Sequence, residues 1–206
     1  MRLGKVVKSN NHCDYVVEVD DRLSVKHPPS PEAYGFGNFV KLETDQRHWG
    51  VGVIYNTQLF NPAFLNSGPR LSSEPSLIYA PDLQSEIKTL LSVVLIGTLE
   101  PPERVLALQE KLHVYGQQGI PRLVVPVNTL AYKMSEEEVY QFHQDRSGAP
   151  QFAYYGLLMN CGGPFAHQLI YQVLSEISQM FFGSQRRALE ILGKELSWKM
   201  TMGAMR

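Results

Sequence analysis

Four short runs of β-branched and aromatic residues fall within the first 60 positions: RLGKVVK from Arg2, YVVEV from Tyr15, the run Phe39 to Glu43, and WGVGVIY from Trp49. Runs of this length and type, separated by polar breaks, read as strands, and each needs neighbours to bury a face. In the last run Gly50 and Gly52 alternate, so one side of that strand must be sterically thin, as where strands bend or approach closely in a small barrel. The connection HPPSPEAYGFGN carries three prolines, which cannot donate to a ladder, and Gly35 and Gly37, which can reach positive φ. It predicts a loop that re-enters the sheet. These features together point to a small N-terminal β-barrel.

Beyond Gln58 the chain turns irregular up to Pro81, with four prolines and one glycine but several large apolar residues, which predicts an ordered loop packed on a neighbour. This stretch is the expected boundary between a barrel with its linker, residues 1–80, and a second part, residues 81–206. There Asp82 is expected to cap a helix carrying Leu83, Ile87, Leu90 and Leu91, and the continuous apolar run Ser92 to Thr98 reads as a buried strand. ERVLALQEKLHVYG, rich in helix formers, predicts a helix ending at Gly116, and RLVVPV predicts a strand after it. Ser135 and Glu138 have capping-box spacing at the head of SEEEVYQFHQD, so a short helix is expected there. QFAYYGLLM reads as one more strand. Gly162, Gly163 and Pro164 then open a helix with Phe165, Leu169, Val173, Leu174 and Ile177 along one side. A second helix, from about Ser184 to Met200, follows Gly183, giving a helical hairpin. The expected class is α+β: a small β-barrel, an α/β segment and a C-terminal helical hairpin.

Hydrophobic residues make up 44% of the 206 and charged residues 19%, which excludes a largely disordered chain. The formal net charge of -1 lacks the basic excess behind non-specific nucleic-acid affinity, so DNA or RNA would need a local patch. Two cysteines do not make a disulfide scaffold, and no apolar run approaches the roughly 18 residues of a membrane span. A cytoplasmic protein with no membrane span is expected.

The residues with chemical potential are scattered. The six histidines show no HxxxH or HxH spacing, and there is neither GxxxxGK[ST] nor GxGxxG. No metal and no cofactor is expected. His12, Cys13 and Asp14 are the densest cluster of ligand types, but adjacent residues at a strand and turn rarely converge on one ion. Cys161 is read just ahead of a helix start, where a helix dipole would favour the thiolate, with His167 nearby. A thiol-dependent enzyme at Cys161 therefore stands beside a packing role for that residue. In the final segment Arg186, Arg187, Lys194, Lys199 and Arg206 outnumber Glu190 and Glu195. Either a solvated helix face or a surface for an acidic partner or nucleic acid accounts for them, with Trp198 and the nearby methionines as adaptable docking residues.

LGKVVKSNNHCDYVVEV, GFGNFVKLE and GVGVIYNTQLFNP, in that order and spacing, resemble the HAS barrel shared by HerA-type ring ATPases and the alpha and beta subunits of rotary ATP synthases. VVLIGTLE, PVNTLAYKMSEEEVYQF and YYGLLM resemble the stretch joining barrel to motor in HerA-like proteins. Where such ATPases enter the P-loop this sequence reads NCGGPFAHQLIYQVLSEISQMFF, so ATPase activity does not carry over. The whole, with its ELSWKMTMGAM ending, also looks like a group of cyanobacterial HAS-barrel proteins without the motor. In the ring ATPases such barrels sit side by side as a collar. The resemblance thus implies a non-catalytic interaction or assembly module that self-associates or docks on a protein partner. The barrel and the C-terminal helical hairpin are the candidate contact surfaces, and the charge excess of the final segment marks Arg186, Arg187, Lys194, Trp198 and Lys199 as the candidate contact residues. The alternative is a nucleic-acid-associated accessory protein using the same basic helix.

Overall fold

Each β-branched run of the first 60 residues becomes a strand: β1 (Arg2–Ser9), β2 (Asp14–Val19), β3 (Phe39–Glu43) and β4 (Trp49–Phe60). A computed structural model describes residues 1–43, 49–60, 87–99, 116–122, 124–145 and 147–204, and the structural statements below concern those residues. Three further strands, β5 (Lys88–Leu99), β6 (Gly116–Gln118) and β7 (Leu130–Lys133), join the same sheet. Its order is β2-β1-β7-β3-β4-β5-β6, all antiparallel, and β2 also pairs with β5, in register Tyr15 to Val93 and Val17 to Leu91. That last pairing closes six strands into a barrel and leaves β6 as a flap on β5, which removes most of the unpaired edge an open sheet would present.

Side chains alternate across a strand, and here both faces of the β3–β4–β5 wall are buried. Val40, Leu42, Ile54, Leu91, Val93 and Leu95 fill the barrel, while Phe39, Val51, Val53, Val94 and Ile96 face outward under the helices. Two-sided burial is why Val93 to Ile96 is apolar without interruption. A Cβ at Gly52 would lie 2.5 Å from Cγ1 of Val93 and 3.1 Å from the carbonyl oxygen of Val94, so only glycine lets β4 lie this close to β5.

The helices are α1 (Glu136–Phe142), α2 (Tyr155–Cys161), α3 (Ala166–Met180) and α4 (Gly183–Ala204). Ser135 accepts from the Glu138 backbone N–H at 3.2 Å while the Glu138 carboxylate accepts from the Ser135 N–H at 2.9 Å, the reciprocal capping box expected at α1. In α3, Leu169, Ile170, Val173 and Ile177 form the buried stripe over the barrel wall. Phe181 and Phe182 link α3 to α4, which packs on α3, and Gly183 starts α4 at φ +59.

Four expectations change. The sheet runs across the expected boundary after residue 80, because β5 and β7 are barrel strands. Leu90 and Leu91 belong to β5, not a helix: pairing with Gln58 and Thr57 of β4 overrides their helical spacing, while Asp82 and Leu83 lie outside the described residues. RLVVPV makes no strand among its described residues, since Pro121 precedes it and Pro126 stands inside it, neither with an N–H group to give, and β7 is taken from Leu130 onward instead. QFAYYGLLM turns into helix α2 after Tyr154, whose burial together with Leu158 repeats at four residues, not two. The helix expected over ERVLALQEKLHVY lies outside the described residues. No helix among the described residues is long and apolar enough to cross a membrane.

Candidate interaction surface

Helix spacing sets one stripe of α3 beside one stripe of α4, and between them runs an open groove of about 480 Å³. Its floor is apolar, from Leu174 and Leu189, both buried. Its waist is small: Ser175 and Ser178 on α3 and Gly193 on α4, where an added Cβ would meet nothing within 4 Å. Tyr171 and Trp198 line it with large, exposed aromatic faces, 64% and 68% accessible. On the rim the Arg186 Nε–H donates to Glu190 Oε1 at 2.8 Å, one turn along α4, and Lys194 sits a further turn on. Phe182, in the link between the helices, is 81% exposed, and Ile191 on α4 is exposed as well.

Polar groups between the barrel and the helices are paired with one another. His143 is fully buried; its Nδ1–H donates to the Val139 carbonyl at 2.6 Å, which fixes the tautomer, and its Nε2 accepts from the Tyr154 hydroxyl at 2.7 Å. Burial drives its pKa down to about 4, against the Val139 bond, so the ring is neutral at pH 7. Phe39, Phe142 and Tyr154 surround it with ring centroids 5.1 to 5.8 Å away. On the barrel side of the seam, between β4 and β2, the Tyr55 hydroxyl donates to Asp14 Oδ1 at 2.8 Å and Asn10 Nδ2 to Oδ2 at 2.9 Å. Burial first, then the Asp14 carboxylate, pushes the Tyr55 phenol up to about 12. Lys41 lies 3.9 Å above the Trp49 ring and 2.6 Å from Glu138 Oε1, so the carboxylate that caps α1 also ties it to β3.

Of the contact residues expected from sequence, the fold brings Arg186, Lys194 and Trp198 to the groove. Arg187 is exposed on α4 outside the groove lining, and Lys199 is placed on α4 while its side chain lies outside the described part. Cys161 is the last residue of α2, five residues before α3 begins, so the dipole it meets first is the C-terminal end of α2, which disfavours a thiolate. Burial pushes its thiol up, and the Asp14 carboxylate and Cys13 thiol push the same way. His167 is exposed on α3. His12, Cys13 and Asp14 part company: His12 donates to the Pro121 carbonyl at 2.7 Å, Cys13 packs into the barrel core, and Asp14 serves Tyr55. Among the described residues no three His, Cys, Asp or Glu side chains come together to hold a metal.

Sequence reasoning passed over Tyr171, Leu189 and Gly193, although the three- and four-residue spacing of Arg186, Leu189, Glu190, Gly193 and Lys194 marks one helix face. Comparison with protein-family models matches residues 1–206 to one described as Domain of unknown function (DUF8166). Comparison with curated proteins gives no match.

Proposed function

We propose that this chain, which belongs to the DUF8166 family over residues 1–206, is a non-catalytic protein-interaction or assembly module. The barrel and its seam are the rigid support, and the C-terminal helical hairpin is the contact surface. The observation that carries this reading is the open α3–α4 groove, with Tyr171 and Trp198 exposed beside an apolar floor. Aromatic residues at a concave, partly apolar surface are the groups that anchor protein partners. The resemblance of the N-terminal strands to HAS barrels, which sit side by side in ring ATPases, supports the same reading. Cys13 and Cys161, both free thiols, suit a reducing, cytoplasmic setting.

The test is affinity purification of the tagged full chain from its native host at moderate salt, with mass spectrometry of what accompanies it and light scattering of the purified chain. The expected result is a defined complex of fixed stoichiometry. A strictly monomeric chain that comes through alone overturns the reading. Recovery of a ring ATPase would tie the barrel resemblance to a real assembly.

A further inference from the structure

We propose that the groove between α3 and α4 receives an acidic amphipathic helix of a protein partner, its apolar side chains on Leu174, Leu189, Tyr171 and Trp198 and a carboxylate on Lys194. This rests on the interaction-module reading and names the class of partner.

The shape argues for a helix. From Arg186 to Trp198 the α4 side of the groove runs about 18 Å at 1.5 Å per residue, or roughly three turns of a third helix. A channel between two packed helices accepts the ridge of another, and Ser175, Ser178 and Gly193 at the waist let its backbone come close. The aromatic pair would grip one end of such a helix, while Leu174 and Leu189 form the floor along its length.

The charges argue for acidity. Glu190 neutralises Arg186, but among the described residues Lys194 has no ion-pair partner. Along Gly183–Ala204 the sequence sets four cations, Arg186, Arg187, Lys194 and Lys199, against Glu190 and Glu195. A second copy docking by two-fold symmetry would lay this cationic helix against itself, so a partner of opposite charge is the better fit. Burying an unpaired Lys194 under an uncharged helix would forfeit its hydration, which a facing carboxylate restores.

The experiment uses the full chain and a fluorescein-labelled peptide of about 18 residues, with leucines at i, i+3, i+4 and i+7, three glutamates spaced beside them and alanine and glutamine elsewhere to favour the helix. Controls are the same peptide with lysines for glutamates and a single-stranded oligonucleotide. Fluorescence anisotropy should show saturable binding of the acidic peptide alone. Lys194→Glu and Trp198→Ala should each weaken it about tenfold or more, and Lys194→Glu should favour the lysine peptide, with the unfolding midpoint unchanged. Equal binding of the two peptides, no binding, full affinity in both variants, or displacement by the oligonucleotide overturns the proposal. So does a dimer in sedimentation velocity that Lys194→Glu dissolves. If the affinity-purified partner survives Trp198→Ala, the groove assignment falls while the module reading stands; a solitary monomer that binds no peptide removes both.

Discussion

The seam between barrel and helices and the groove between α3 and α4 use similar residue types to opposite ends. In the seam, His143 and Tyr154, Asp14 and Tyr55, Lys41 and Glu138 are partnered and covered. In the groove, Tyr171, Trp198 and Lys194 stand open to solvent. A polar group already satisfied and buried has little left to give a ligand without breaking the fold, whereas an exposed aromatic beside an apolar floor gains by being covered. The contrast places the covered, satisfied groups in the seam, and on the proposed reading it leaves recognition to the groove. The largest effect should come from Phe142→Ala. Phe142 is fully buried, with its ring centroid 5.1 Å from that of His143, and truncation there should cost about 3–5 kcal/mol in urea denaturation. An unchanged midpoint would break the comparison at its base.

Acid should act on the same seam. His143 stays neutral in the folded protein down to about pH 4, while in the unfolded chain it takes up a proton near its ordinary value of 6.5. Because the folded value is depressed, the stabilisation is whole above about pH 6.5. It is lost progressively as pH falls toward 4 and levels off below that, a total on the order of 3 kcal/mol. Denaturation curves of wild type and His143→Gln between pH 7 and 4 isolate this contribution from the carboxylates. Parallel pH profiles for the two proteins would show that His143 is not the titrating group.

Tyr55→Phe should have a smaller effect. It removes the hydroxyl donor to Asp14 Oδ1 but leaves Asn10 on Oδ2, so the carboxylate keeps part of its coordination. A loss of about 1–2 kcal/mol is expected from leaving one buried acceptor short. Asp14→Asn combined with Tyr55→Phe should recover part of it, since an uncharged amide tolerates burial better than a carboxylate. If the double variant loses the full sum of the two single effects, the pair is not coupled and the seam is looser than its hydrogen bonds imply.

The chemistry of these two regions was unevenly legible in the sequence. Ser135 and Glu138 announced the start of α1 because a capping box is a local arrangement, complete within four residues. Gly52 announced a close approach for the same kind of reason. The barrel's closure was not legible past residue 80: β2 meets β5 across more than 70 residues of chain, and pairing at that range leaves no local trace in Leu90 or Leu91. Tyr154 misled as a strand residue, since a tyrosine-rich apolar run supports either structure until its burial period is known. His143 carried no signal, because its partner lies eleven residues on, beyond a turn. Trp198 and Lys194 were legible as surface residues, but the groove they share also needed the position of α3.

The smallest effect should fall on the groove rim. Arg186 and Glu190 are 50% and 44% exposed, so a double-mutant cycle with Arg186→Ala and Glu190→Ala should report a coupling of only about 0.3–0.5 kcal/mol to folding. Their weight should lie in recognition instead. Glu190→Ala leaves Arg186 as a second unpaired cation on the rim, which should tighten the acidic peptide and steepen the fall of its affinity with added salt, while Arg186→Ala does the reverse by freeing a carboxylate. Peptide titrations at two salt concentrations separate the cases. A coupling to folding above about 1 kcal/mol, or peptide affinities indifferent to both substitutions, would place this pair with the seam and not with the groove, because an ion pair that matters to folding is one the fold has already covered.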